Sequence, residues 1–299
     1  MKGLQNIFHL IKRSVFEKVS GVQCFDSGID GPCVGITICT HGNEPCGLAV
    51  AKQFLDGLIK PKKGKVFVVI NNILATENYF NSKTEGEKIK CRYVDVNMNR
   101  LPEILGNENY EEIRAKELLP IWSKFDYALD IHSTSQPSDS IIIEGVNDAS
   151  NLTKNFPSKI VLRNMLPIQL GIPAIGFYNQ RCISIGYEAG SHETNEAQIN
   201  AIQCVESLLI SLDMLDGKHE EPNVQNIYTV HSSVMFPDEN YRLKRIFPMF
   251  DDVKKGEVIA LNNNGDLIYS PVDGVAIFAP KGLKPNSENE EVLYICEVN

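Results

Sequence analysis

The chain has 299 residues, 43% of them hydrophobic, and a formal net charge of -9. That is enough apolar material for an α/β core with a small appendage. A net acidic surface argues against a nucleic-acid binder or a membrane-surface binder, which both rely on basic patches, and no uninterrupted apolar stretch is long enough to span a bilayer.

The N-terminus, MKGLQNIFHLIKR, has a charged start and an apolar run broken by His9 and Lys12, which reads as a short amphipathic helix rather than a secretory signal. Residues 34–39 (VGITIC) then form a buried strand, 45–59 a helix, and 65–71 (KVFVVIN) a second strand. The spacing predicts a helix over 108–124, a strand over 126–132 (DYALDIH), another over 140–145, and a helix over 151–165 broken before Pro167. A strand over 182–188 (CISIGYE) and a long helix over 195–215 complete this region. Continuous apolar strands separated by helices indicate a mixed, largely parallel central sheet covered on both faces. Residues 217–226 are polar and aperiodic and read as a linker. The rest of the chain shows short strands and turns. The expected division is therefore an α/β domain over 1–218 and a small all-β domain over 219–299. The 8 cysteines include no CxxC pair and sit mostly beside apolar residues, as expected of reduced thiols in a cytoplasmic protein.

The sharpest local feature is CTHGNEPCG at 39–47. A strand ends near Thr40 and a helix begins near Pro45, since proline suits the first helical position. His41 and Glu44 thus lie in a strand-to-helix turn at the carboxyl end of a strand, where open α/β sheets place ligands, and Gly42 gives the backbone room to bend. His132 ends a second buried strand. Two histidines and one carboxylate leave a coordination position open for water, the pattern of catalytic zinc, and Asp130, two residues earlier, sits on the side from which it accepts the imidazole N–H. An isolated HxxE is common, so the joint occurrence carries the weight. Glu188 closes an apolar strand and needs either a partner or a task, such as general base. Arg92 and the Asn99-Arg100 pair lie in a polar segment. Arg100 offers a planar fork suited to a carboxylate, and Arg92 a donor for a carbonyl oxygen gaining charge. Taken singly, each reads as an ordinary ion-paired side chain. Neither GxSxG nor a Walker loop is present, and Glu111-Glu112 reads as a solvated face.

In this order, HGNE at 41–44, RYVDVNMNR at 92–100, DIH at 130–132 and GYEAG at 186–190 resemble the succinylglutamate desuccinylase/aspartoacylase family of the zinc carboxypeptidase-like superfamily. The likeness spans roughly the first two-thirds of the chain, and the tail resembles the family's small barrel-sandwich-like β domain. The resemblance implies one zinc ion per chain on His41, Glu44 and His132, with Glu188 as general base and Arg92 polarising the scissile carbonyl. Asn99 and Arg100 would hold the α-carboxylate of a small anionic N-acyl amino acid, such as acetylaspartate or succinylglutamate, and a homo-oligomer stays open. A metallocarboxypeptidase and a non-enzymatic metal or carboxylate binder are the alternative readings. Two positions depart from the pattern. Asn97 stands where an acidic residue is common, and where the aspartoacylase branch has an arginine for the substrate's side-chain carboxylate this chain has Tyr178, with Arg181 three residues on. Those two are the candidates for that contact.

Overall fold

The computed structural model describes residues 2–101, 109–145, 147–165, 181–192, 194–219, 224–284 and 291–298. After an amphipathic helix (Lys2–Arg13) come β1 (Val15–Phe16), β2 (Val19–Ser20), β3 (Val22–Asp26), β4 (Cys33–Ile38), β5 (Lys65–Ile70), β6 (Tyr127–Thr134), β7 (Ile141–Glu144), β8 (Ile160–Arg163) and β9 (Ile183–Ser191). The remaining strands are β10 (Asn226–Met235), β11 (Arg242–Leu243), β12 (Asp251–Val253), β13 (Val258–Leu261), β14 (Leu267–Tyr269), β15 (Gly274–Ile277) and β16 (Glu291–Val298). Eleven strands make one sheet in the order β12-β15-β16-β10-β8-β7-β9-β6-β4-β5-β3. At its centre β5, β4, β6 and β9 run parallel, and β7 turns antiparallel against β9.

Burial on both faces explains the unbroken apolar runs. Ile36, Ile38, Leu129 and Ile131 pack in one cluster with Phe8 of the first helix, Val50 of the helix Leu48–Leu55, and Val205 and Leu208 of the helix Asn195–Ser211. On the other face Phe67, Val69 and Ala128 meet Leu118, Ile121 and Trp122 of the helix Tyr110–Trp122.

Two expectations change. The helix expected over 151–165 is one turn, Ser150–Thr153, followed by β8. Ile160, Val161 and Leu162 are buried between β7 and β10, and a short apolar run takes its state from such neighbours rather than from its own pattern. The polar stretch expected to separate the catalytic domain from the β domain does not interrupt the hydrogen bonding either. Directly after it, β10 pairs parallel with β8, then antiparallel with β16, so the C-terminal strands extend the central sheet. They also bury a cluster of their own, with Leu243, Phe247, Ile259 and Leu293 at its heart, beside the three-stranded sheet β11-β13-β14.

Candidate active site

Adjacent parallel strands bring three of the four segments, 41–44, 130–132 and 186–190, to the carboxyl ends of the central strands. His41 and Glu44 follow β4, His132 lies near the end of β6, and Glu188 is its register partner on β9. Register partners on neighbouring parallel strands face the same side, about 4.8 Å apart. The ladder is irregular between His132 and Thr134, as is common beside active sites.

Pro45 opens a short 3-10 turn that leads into the helix at Leu48. The backbone bend, however, is made by Cys39, whose φ of 53° is left-handed, rather than by Gly42. Gly42 serves close approach: a Cβ there would meet the Ala75 carbonyl carbon at 2.3 Å and the Cys91 oxygen at 2.4 Å. Its N–H donates to the Arg92 carbonyl at 2.9 Å, which ties the HGNE turn to the arginine segment.

Glu44 sits at the centre, 2% exposed. Its Oε1 lies 2.8 Å from His41 Nδ1 and accepts from Arg92 Nη1 at 2.9 Å. Its Oε2 lies 2.8 Å from His132 Nδ1 and accepts from Ser133 N at 3.2 Å. The outer nitrogens are backed by oxygens, His132 Nε2 by Asp130 Oδ2 at 2.8 Å and His41 Nε2 by Asn97 Oδ1 at 3.0 Å. Asn97 Oδ1 also accepts from Asn99 N at 2.9 Å, so His41 must donate to it from Nε2. Asp130 Oδ1 accepts from Thr37 and Thr40 at 2.7 and 2.8 Å. As the Asp130–His132 spacing suggested, the carboxylate fixes that ring.

Burial alone would raise the Glu44 carboxyl, but His41 and His132 hold it well below the ordinary range. Burial likewise opposes charge on His132, yet Asp130 and Glu44 raise it well above its ordinary value. His41 is lowered, by burial first and Arg92 second. A neutral His41 with its proton on Nε2 turns a lone pair toward Glu44 Oε1, a contact that repels unless a cation lies between them. One ligand atom from each of His41, Glu44 and His132 falls within 4.8 Å of the others, which suits a single metal ion. Glu188 is pushed up to about 7, by burial above all, and its Oε2 is buried with no hydrogen-bond partner among the described residues. The side-chain oxygens of Asn43 and Asn99 are in the same condition. Three orphaned polar atoms lining one cleft mark a place built to hold something polar.

The cleft, of about 240 Å³, is lined by these residues and by Arg92, Arg100, Ser133 and His192. Arg100 Nε donates to Glu291 Oε2 at 2.7 Å, and its Nη2 to the Tyr294 hydroxyl at 3.3 Å, both on β16. Tyr178 lies outside the described residues. Arg181 is not brought to the cleft: it is exposed and precedes β9, at the opposite end of that strand from Glu188. Sequence reasoning also missed several lining residues. Asn43 was inside the HGNE motif. Another is His192, whose Nδ1 is 2.8 Å from Ser133 Oγ and which burial pushes down to about 4. Glu291 and Tyr294 carried no local signal at all. Glu111, read as solvated, is fully buried and accepts the N–H groups of Val94, Asp95 and Val96, fastening the segment that bears Arg92 and Asn99.

A sheet whose parallel strand ends gather two histidines and a glutamate around a cleft defines an α/β scaffold with a candidate metal site. The model of the succinylglutamate desuccinylase/aspartoacylase catalytic domain matches residues 30–197, more than half of the chain. The chain belongs to that family. It is 30% identical over 134 residues to an N-acyl-aromatic-L-amino acid amidohydrolase (carboxylate-forming) of Mus musculus, a match covering 40% of this chain and 39% of that protein. Among solved structures, a succinylglutamate desuccinylase/aspartoacylase of Rhodobacter sphaeroides superposes with a TM-score of 0.64 at 17% identity, over 91% of this chain and 87% of that one. The succinylglutamate desuccinylase of Chromobacterium violaceum gives 0.67 at 14% identity, over 94% and 89%. Murine aminoacylase 3 gives 0.61 at 19%, over 90% and 96%. At these identities the structures speak for the fold.

Proposed function

We propose that the chain is a zinc-dependent amidohydrolase that removes the acyl group from an N-acyl amino acid. The observation that carries this reading is the convergence of His41 Nδ1, His132 Nδ1 and the Glu44 carboxylate beside a glutamate whose buried oxygen has no partner among the described residues. Family membership and the activity for which the mouse relative is named support the same substrate class. The donor set fits zinc, with outer nitrogens occupied and inner ones turned to a common point.

When bound, zinc supplies Lewis acidity toward water and the scissile carbonyl. The chain's residues do the rest. Asn99 and Arg100 hold the α-carboxylate, and Arg92 donates to the carbonyl oxygen as it gains charge. Glu188 takes a proton from the attacking water at Oε2 and returns it to the leaving nitrogen as the C–N bond breaks, giving a free carboxylate and a free amine. A cleft of about 240 Å³ is small beside the roughly 300–1,000 Å³ of typical ligand pockets, which suits an acyl amino acid better than a peptide. Among the described residues no helix is long and apolar enough to cross a membrane. The eight cysteines are all free thiols, which suits the proposed cytoplasmic location.

Metal analysis and a deacylation screen test this reading. The purified protein is expected to bind one zinc ion per chain and to deacylate N-acyl amino acids, and His41→Ala and His132→Ala are each expected to lose the metal. Absence of stoichiometric divalent metal, together with no turnover after zinc is added, would overturn it.

A further inference from the structure

The apolar wall of the cleft lies next to the arginine fork, and the cleft has few cations to spare. We infer that the amino-acid half of the substrate carries an apolar side chain, seated on Ile143, Met165, Met249 and Phe278, and not a second carboxylate. The inference rests on the amidohydrolase reading and names its substrate class.

A second carboxylate would need a cation of its own, because an unpaired buried carboxylate is costly. Apart from Lys2, which begins the first helix, every lysine and arginine side chain of the chain is among those described. Those lining the cleft are Arg92, Arg100 and Lys281. Arg92 is bonded to Glu44. Arg100, bonded to Glu291, is the receptor for the α-carboxylate. Lys281 is exposed, where an ion pair contributes little. Arg181 stands at the far end of β9.

The apolar surface is built for a side chain instead. Ile143, Met165, Met249 and Phe278 belong to one cluster, where the central strands meet the C-terminal ones, and all four line the cleft. Phe278 holds a left-handed backbone, φ 57°, that a bulky residue adopts only under constraint. Its N–H points at the Met249 sulfur at 3.1 Å, and its ring stands edge-on to Tyr294, with centroids 6.2 Å apart. The Tyr294 hydroxyl in turn receives Arg100. This chain of contacts runs from the carboxylate fork to the apolar wall, so a substrate anchored by its α-carboxylate lays its side chain there. Two flexible methionines let the wall accept more than one apolar shape.

The test compares kcat/KM of the zinc-loaded enzyme for the N-acetyl derivatives of phenylalanine, leucine, glycine, aspartate and glutamate. Phenylalanine and leucine are expected to exceed aspartate and glutamate by about 100-fold. Phe278→Gly suits the left-handed backbone. It is expected to lower kcat/KM for acetyl-phenylalanine about 10-fold more than for acetyl-glycine. An acidic preference, above all one that Lys281→Ala removes, would overturn the inference while leaving the amidohydrolase standing. Turnover of no N-acyl amino acid would overturn both.

Discussion

Glu188→Gln separates a catalytic glutamate from a merely structural one, because the two roles move stability in opposite directions. In the metal-free protein the Glu188 carboxyl titrates at about 7, against an ordinary 4.5, with burial as the main cause. The folded state therefore holds this proton more tightly than the unfolded one. Its stability falls as pH rises from about 4.5 through about 7 and is flat above that, and the full difference corresponds to about 3 kcal/mol. Glutamine keeps the shape and removes the ionisation. The metal-free variant is thus expected to be more stable than the parent by up to about 3 kcal/mol at pH 8 and nearly equal to it at pH 4.5, as read by urea unfolding at the two pH values. In the zinc-loaded protein the same substitution is expected to keep the metal and to lower kcat by about 10²- to 10⁴-fold, the usual loss for a missing general base. A variant that is less stable at pH 8, or one that turns over normally, would refute the assignment: the glutamate would then be a salt-bridging residue.

Asn97→Asp places a carboxylate behind His41, matching Asp130 behind His132, and is expected to tighten zinc binding about 10-fold in competition with a chromogenic chelator. Unchanged or weaker binding would refute the role given to that hydrogen bond. Gly42→Ala drives a methyl into the backbone of Ala75 and Cys91. It is expected to cost about 1–3 kcal/mol in urea unfolding and to loosen the metal, and an unaffected protein would show that the turn is slack. Glu111→Ala leaves the N–H groups of Val94, Asp95 and Val96 without their acceptor. A loss of at least about 3 kcal/mol is expected, with a raised KM from the loosened arginine segment.

Much of this site was legible because its residues lie at the ends of strands that are apolar along their whole length. Such strands announce a sheet buried on both faces, and in a parallel sheet their carboxyl ends share one edge. His41, Glu44, His132 and Glu188 could be placed together for that reason, and Asp130 by the two-residue period of β6. What could not be read depends on distant partners. Nothing near Ile160 shows that it lies between β7 and β10, so its run passed for helix. Glu111 resembles any acidic residue in a first helical turn until the 94–96 backbone is seen to lie against it. Glu291, Tyr294 and Phe278 reach the cleft because β15 and β16 join the central sheet, and sequence spacing cannot express that pairing. Tight approach at Gly42 and left-handed bending at Cys39 are likewise properties of the folded neighbourhood, and the glycine alone drew attention.

The metal-free site keeps a proton where the ion belongs, and this can be counted. His132 has a carboxylate oxygen 2.8 Å from each ring nitrogen, Glu44 on one side and Asp130 on the other. These two carboxylates raise the ring's affinity for protons well above its ordinary value, which favours the doubly protonated imidazolium in the metal-free site. A metal ligand must offer a lone pair from Nδ1, so binding has to expel that proton. Glu188, titrating at about 7, is about half protonated at neutral pH, and a dication nearby favours its ionised form. Zinc binding at pH 7 is therefore expected to release between about one and one and a half protons. The apparent zinc affinity should fall by about tenfold for each unit of acidification per proton released. Calorimetry in buffers of different ionisation heat gives the count directly. A release of zero would mean that His132 is already a neutral ligand before the ion arrives, and the charge balance argued for this site would be wrong.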